Sequence, residues 1–135
     1  MAKASVVGGA LVAVAVLAGA VGYYGNQAEA RRRLDLRVEA MTGGDPDRGR
    51  SAIARRPCGA CHVIPGVRNA AGTVGPPLTA FARRGYIAGR ETNSPDALIS
   101  FLQDPHVVDP QSAMPPMGLG EREARDIAAY LYTLR

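Results

Sequence analysis

Two thiols and an imidazole stand together in Cys58-Gly59-Ala60-Cys61-His62, and these are the only two cysteines of the chain. A disulfide between them would close a very short loop, gaining little entropy and straining the bond. The pair therefore needs a chemical role. C-x-x-C-H is the attachment signature of haem c. Each thiol adds to one vinyl group of the porphyrin and leaves a thioether. The two intervening residues let both thiols reach one edge of the ring, and His62 then ligates the iron as the proximal ligand. Pro57, Gly59 and Ala60 are compact, so the chain can turn against the porphyrin. A zinc site would need two more ligands, and only His106 remains. A thioredoxin-like dithiol would follow a strand, and no βαβ pattern is present.

A six-coordinate electron carrier needs a second axial ligand. The candidates are Met114, Met117 and His106, because Met1 and Met41 lie too near the N-terminus. A thioether favours ferrous iron, so Met/His ligation raises the reduction potential. Ala113-Met114-Pro115-Pro116-Met117 lies in a proline-braced loop well beyond Cys61. The plainer roles are core filler for a methionine and a surface position for His106.

The elements that must hold these groups read as helices. The chain has 135 residues, within the range of one domain. Asp45 can cap a helix that starts at Pro46 and runs to about Arg55. Glycine and proline recur through 57–92, which reads as loop. Ser94-Pro95 opens a helix with Leu98, Phe101 and Leu102 on one face. Residues 104–118 are again loop. Gly120 to Leu134 is the last helix, with Glu123 at the third position of a capping box and Ala124, Ile127, Ala128, Leu131 and Leu134 in one stripe. No run alternates as a strand would, so the class is all-α. The globule is small for a core of side chains alone, with no Trp, two Phe and ten Pro. A haem would supply a large apolar body at its centre.

The formal charge is +4, and one lysine, Lys3, stands among 16 basic residues. That balance is too weak for nucleic-acid binding. It suits weak steering toward an acidic protein surface, or simply a solvated exterior.

Ala4 to Tyr24 carries no charge. A helix of that length spans roughly 31 Å, enough for a bilayer core. Tyr23 and Tyr24 fall where an interfacial aromatic pair would sit. Small residues recur four apart, as in Ala15/Gly19 and Ala18/Gly22, which admits a second helix. A signal peptide is the competing reading, with Lys3 as a thin n-region and Ala28-Glu29-Ala30 as a cleavage site. The apolar run exceeds the usual h-region, which favours an uncleaved anchor. Residues 1–30 are thus expected to be a membrane anchor, 31–43 a polar connector or short helix acting as a tether, and 44–135 the globule. Arg31-Arg32-Arg33 would by charge lie in the cytoplasm, whereas covalent haem attachment requires the opposite side, and the attachment chemistry takes precedence.

From Gly44 to Arg135 the chain resembles the class I cytochromes c. Gly44-Asp45, Gly49 and Ile53 are similar to the N-terminal helix of that family, Gly75-Pro76-Pro77-Leu78 to its G-P-x-L segment, Pro110 to Met114 to its methionine loop, and Ala129-Tyr130-Leu131 to its C-terminal helix. The resemblance implies three to five helices around one covalent haem, preceded here by a single transmembrane helix. It implies that the Pro76 carbonyl orients His62, that Met114 is the axial ligand with Met117 as local packing, that Arg84 contacts a haem propionate, and that Tyr130 comes close to Gly49. The tryptophan common in mitochondrial members is missing, so another group must bond the inner propionate.

By the same resemblance the expected function is one-electron transfer without catalysis by the chain itself. The haem edge would be ringed by some of Arg55, Arg56, Arg68, Arg83 and Arg84. The implied partners are a cytochrome bc1-type quinol:cytochrome c reductase as donor and a haem-copper terminal oxidase as acceptor. The implied location is the bacterial inner membrane with the haem domain in the periplasm. Two rivals are a fixed haem subunit of a respiratory oxidase or dehydrogenase, and a five-coordinate haem enzyme or gas sensor.

Overall fold

In the computed structural model the backbone is described for residues 2–135 and the side chains for residues 11–135. Met1, the Lys3 side chain expected as an n-region, and the side chains of the first part of the apolar run lie outside what the structure describes. The order of elements is α1 (Ala2–Thr42), α2 (Pro46–Arg55), α3 (Cys58–Cys61), a 3-10 turn (Phe81–Arg83), β1 (Tyr86–Ile87), β2 (Glu91–Thr92), α4 (Pro95–Gln103), α5 (Pro105–Val108) and α6 (Glu121–Thr133). The chain divides into two compact units, one ending at Leu34 and the other spanning Asp35–Arg135.

In the first unit, the described side chains from Leu11 to Tyr24 are nearly all solvent-exposed, Leu11 and Leu17 among them. By length and composition the described part of α1 is apolar enough to cross a membrane. Ala28-Glu29-Ala30 lies inside this helix. Residues 31–42, expected as a connector, are helical as well.

The second unit begins earlier than Gly44. Val38 and Thr42 are each 1% exposed and belong to its core. Gly43, at φ +69°, ends α1. The Thr42 hydroxyl donates to the Val38 carbonyl (2.7 Å) and accepts from the Gly44 amide (3.1 Å), and Arg125 of α6 donates to the Thr42 carbonyl at 2.9 Å.

The centre of this unit is the crossing of α2 and α6. Asp45 caps α2 by accepting from the Arg48 amide, and Pro46 takes the first position. Helix α2 buries Pro46, Gly49, Ala52 and Ile53. Helix α6 buries Ala124 and everything from Asp126 to Tyr132. A Cβ at Gly49 would lie 1.8 Å from the Asp126 carbonyl oxygen, so the two backbones touch there. The Tyr130 hydroxyl donates to the Pro65 carbonyl. The backbone nearest Gly49 is that of Asp126, one turn before Tyr130.

Asp126 also carries the polar half of this contact. Its carboxylate accepts from the Asp45 amide (2.7 Å) and from Arg48 through Nε (3.0 Å) and Nη2 (2.9 Å). Helix α4, capped by Ser94, packs on α6 through Leu98, Ile99 and Leu102, with Phe101 half-buried. Glu123 does not close a capping box on Gly120. Its carboxylate faces Arg56 instead. The last helix stops at Thr133, with Leu134 as its C-cap.

The all-α expectation holds, and beside the helices lies one hairpin of two-residue strands. Tyr86 pairs with Thr92 and Ile87 with Glu91, across a turn whose Ala88 and Gly89 have φ of 50° and 69°. Strands of two residues cannot show alternation in a sequence. The 3-10 turn and α5 are likewise too short to leave a periodic pattern.

Burial alone would raise the Asp126 carboxyl, but the hydrogen bonds from Arg48 and the Asp45 amide outweigh it and hold it below the ordinary 3.8. A depressed folded value means stability that is complete above pH 3.8 and lost as pH falls through the lower folded value. Asp126→Asn is therefore expected to lower Tm at neutral pH and to converge with the parent protein in strong acid. Thermal melts of both proteins across that range check it, and a constant difference at every pH would contradict it. Gly49→Ala should cost about 1–3 kcal/mol at all pH values, because the obstacle is backbone rather than a movable side chain.

Candidate haem-attachment site

Helix α2 runs directly into the motif. Arg56 caps it with its amide on the Ile53 carbonyl, Pro57 follows, and Cys58–Cys61 form a single helical turn. Residues three apart in a helix share a face, so the two thiols point the same way. Both are free and half-buried. The His62 amide closes the turn on the Cys58 carbonyl at 3.0 Å, and the chain then becomes extended.

The loop that follows folds back over this turn. The Gly72 amide donates to the Gly59 carbonyl (3.0 Å), Gly75 to Cys61 (2.8 Å) and Leu78 to Val63 (2.8 Å). Gly59 is small because Ala70 rests on it: an added Cβ would meet Ala70 at 2.8 Å. That is a packing reason beyond the turn against a porphyrin expected for it.

His62 Nδ1 lies 2.7 Å from the Pro76 carbonyl oxygen. A carbonyl can only accept, so Nδ1 carries a proton, and in the neutral ring the lone pair is on Nε2. Gly75 makes room for this ring, since a Cβ there would sit 2.4 Å from His62 Cε1. Two free thiols on one face and an oriented imidazole with a free lone pair are the donor set that haem c requires, so the residues fit the group.

Other chemistries fit less well. Among the described residues no cluster of three or more His, Cys, Asp or Glu side chains could hold a metal ion. Burial pushes the Cys58 thiol up, the opposite of the lowered value of a redox-active dithiol.

Residues 46–135 match the protein-family model described as Cytochrome c. The chain belongs to the class I cytochromes c. It is 37% identical over 90 residues to cytochrome c-552 of Bradyrhizobium diazoefficiens, covering 66% of this chain and 76% of that protein. It is also 29% identical over 103 residues to cytochrome c oxidase subunit 2 of Alkalihalophilus pseudofirmus. That match covers 76% of this chain but only 29% of the subunit's length. Membership of the family implies covalent haem c, and the two cysteines are spaced for it.

The remaining expected residues of this cytochrome are placed as follows. Arg84 extends its guanidinium to the carbonyls of Pro77 and Thr79, next to the residue that holds His62, and lies 5.4 Å from the centroid of the Phe81 ring. Met114 is half-buried, and its amide donates to the Ser112 hydroxyl. Met117 is half-buried too, and its carbonyl accepts from Arg56 at 2.8 Å. His106 is exposed beside Asp104, as a surface histidine should be. Arg55, Arg68 and Arg83 are exposed. Arg56 is not part of a loose exposed ring, because its side chain is held by Glu123 and Met117.

Three supporting residues escaped the sequence reading. Gly75 was read as part of a family segment, not as space for an imidazole. Asn93 donates to the Phe81 (3.2 Å) and Arg84 (3.0 Å) carbonyls and accepts from the Tyr132 hydroxyl (2.8 Å), fixing the segment that carries Arg84. Tyr132 itself is pushed up to about 12 by burial, so it stays a neutral donor. Nothing local in the sequence marks any of these contacts.

Gly75→Ala is expected to drive the imidazole off the Pro76 carbonyl, at a cost of about 1–3 kcal/mol in stability. The Nδ1 proton resonance of the reduced protein should shift or exchange faster, and an unchanged resonance would show that the ring tolerates the methyl group.

Proposed function

We propose that this protein is a membrane-anchored one-electron carrier. In this reading Cys58 and Cys61 bind one haem covalently, His62 and Met114 ligate its iron, and Arg84 pairs with a propionate. When bound, the haem supplies a ferric/ferrous couple that exchanges single electrons. The observation that carries the proposal is the His62–Pro76 contact beside two free cysteines.

The residues divide the work. Pro76 fixes the tautomer and plane of His62, so Nε2 is always the ligating nitrogen. Met114 brings a soft thioether that favours the reduced state. Arg84 has five N–H donors and spends few on its backbone partners, which leaves donors for a carboxylate. Exposed Arg55, Arg68 and Arg83 offer a weakly basic docking surface for transient redox contacts.

Residues 1–30 act as the anchor in this proposal, and the haem domain lies on the periplasmic face of a bacterial inner membrane. The exposed apolar helix supports the anchor. A tethered carrier works at a raised effective concentration near its partners, proposed to be a bc1-type reductase and a haem-copper oxidase. The likeness to an oxidase subunit favours a second reading, in which the chain is a fixed haem subunit of such a complex.

Intact mass of the purified protein should equal the polypeptide plus one haem, and Cys58→Ala with Cys61→Ala should abolish the covalent adduct. Met114→Ala should remove the far-red Met–iron charge-transfer band of the ferric protein, while Met117→Ala keeps it. The reverse pattern would move the ligand to Met117, and no band in the parent protein would favour an open haem site. Purification in mild detergent decides between carrier and subunit: a stoichiometric complex that survives salt rules out the free carrier.

A further inference from the structure

Arg56 sits at a junction that the electron-transfer proposal does not use. It lies between the end of α2 and Pro57, two positions before Cys58. Its guanidinium makes three bonds in two directions. Nε (3.2 Å) and Nη2 (2.6 Å) fork onto the Glu123 carboxylate, and Nη1 donates to the Met117 carbonyl at 2.8 Å. Paired donors of this kind fix a geometry as well as a distance. One side chain therefore joins the haem-attachment turn, the methionine loop and α6.

The stretch between Met117 and Met114 is stiff. Pro115 and Pro116 have fixed φ, and each residue before a proline is confined to extended backbone. A hold on the Met117 carbonyl is therefore transmitted to Met114 with few free torsions. The loop is held on its other side as well. Asp109 pairs with Arg90 (2.9 Å) and accepts from the Gln111 and Ser112 amides, and Ser112 then accepts from the Met114 amide.

We propose that Arg56 is a positioning residue that keeps the axial methionine on the iron by holding the Met117 carbonyl. The inference rests on the reading of Met114 as ligand. It assigns separate tasks to the two ends of one guanidinium. The Glu123 end stabilises the fold, and the Met117 end sets how readily the methionine leaves.

The test is the affinity of ferric, full-length holoprotein in detergent for added imidazole, which competes with the methionine for iron, alongside the Tm of each variant. Arg56→Gln should bind imidazole about tenfold more tightly than the parent protein, the effect of losing one hydrogen bond to a charged group. Arg56→Lys, whose single ammonium cannot serve Glu123 and the Met117 carbonyl at once, should fall between. Glu123→Gln should lower Tm but leave imidazole affinity near that of the parent, because Nη1 still reaches Met117. Equal imidazole affinity in Arg56→Gln and Glu123→Gln, or no change in Arg56→Gln and Arg56→Lys, overturns the proposal and leaves Arg56 a structural ion pair. Met114→Ala is the control: if it does not itself raise imidazole affinity, the ligand assignment fails, and the role of Arg56 fails with it.

Discussion

The structure depends on one contact between two backbones. At Gly49 helix α2 lies against the Asp126 carbonyl of α6, closer than any side chain would allow. Gly44 repeats the constraint beside the Arg125 carbonyl, where a Cβ would meet oxygen at 2.1 Å. Because α2 ends one residue before the Arg56–Pro57 step into the motif, the position of this crossing is also the position of Cys58. Any sliding of α6 along α2 would move the attachment turn. The Asp126 carboxylate resists such sliding by binding Arg48 and the Asp45 amide together. Shape sets the distance between the helices and charge sets their register.

Around this crossing, four side chains are oriented by main-chain carbonyls. Pro76 holds His62, Pro77 and Thr79 engage Arg84, Met117 engages Arg56, and Thr42 engages Arg125. Carbonyl oxygens are fixed by the fold and cannot rotate away as side-chain acceptors can. The proline-rich segments at 76–77 and 115–116 stiffen two of these positions further. A chain with few aromatic residues thus gains rigidity from backbone geometry where a larger protein would use a packed core.

Local signals were legible and long-range ones were not. Asp45-Pro46 and Ser94-Pro95 announce helix starts because capping is a contact within three residues, and both caps form. Cys58 to His62 is spaced for haem attachment, a local pattern consistent with the family match. The fold class followed from helical periodicity and from resemblance to a family that the chain proved to belong to. Glu123 was misread because the same residue suits a capping box and a cross-helix ion pair, and only the position of Arg56 decides between them. Gly49 was recognised as a close approach, but contact with the Asp126 backbone depends on the phase of α6. The start of the second unit at Asp35 was missed because Val38 and Thr42 are ordinary residues in a polar stretch, buried only by what surrounds them.

The α2–α6 crossing also bears on the order of assembly. Asp126 bonds to residues 78 and 81 positions earlier, so the contact that frames the attachment turn is among the least local in the chain. During synthesis from the N-terminus, Cys58 to His62 exist long before the thirteen residues of α6 do. Until α6 docks, the turn lacks the contact that frames it. A chain interrupted before Glu121 would therefore carry the whole motif without the contact that frames it.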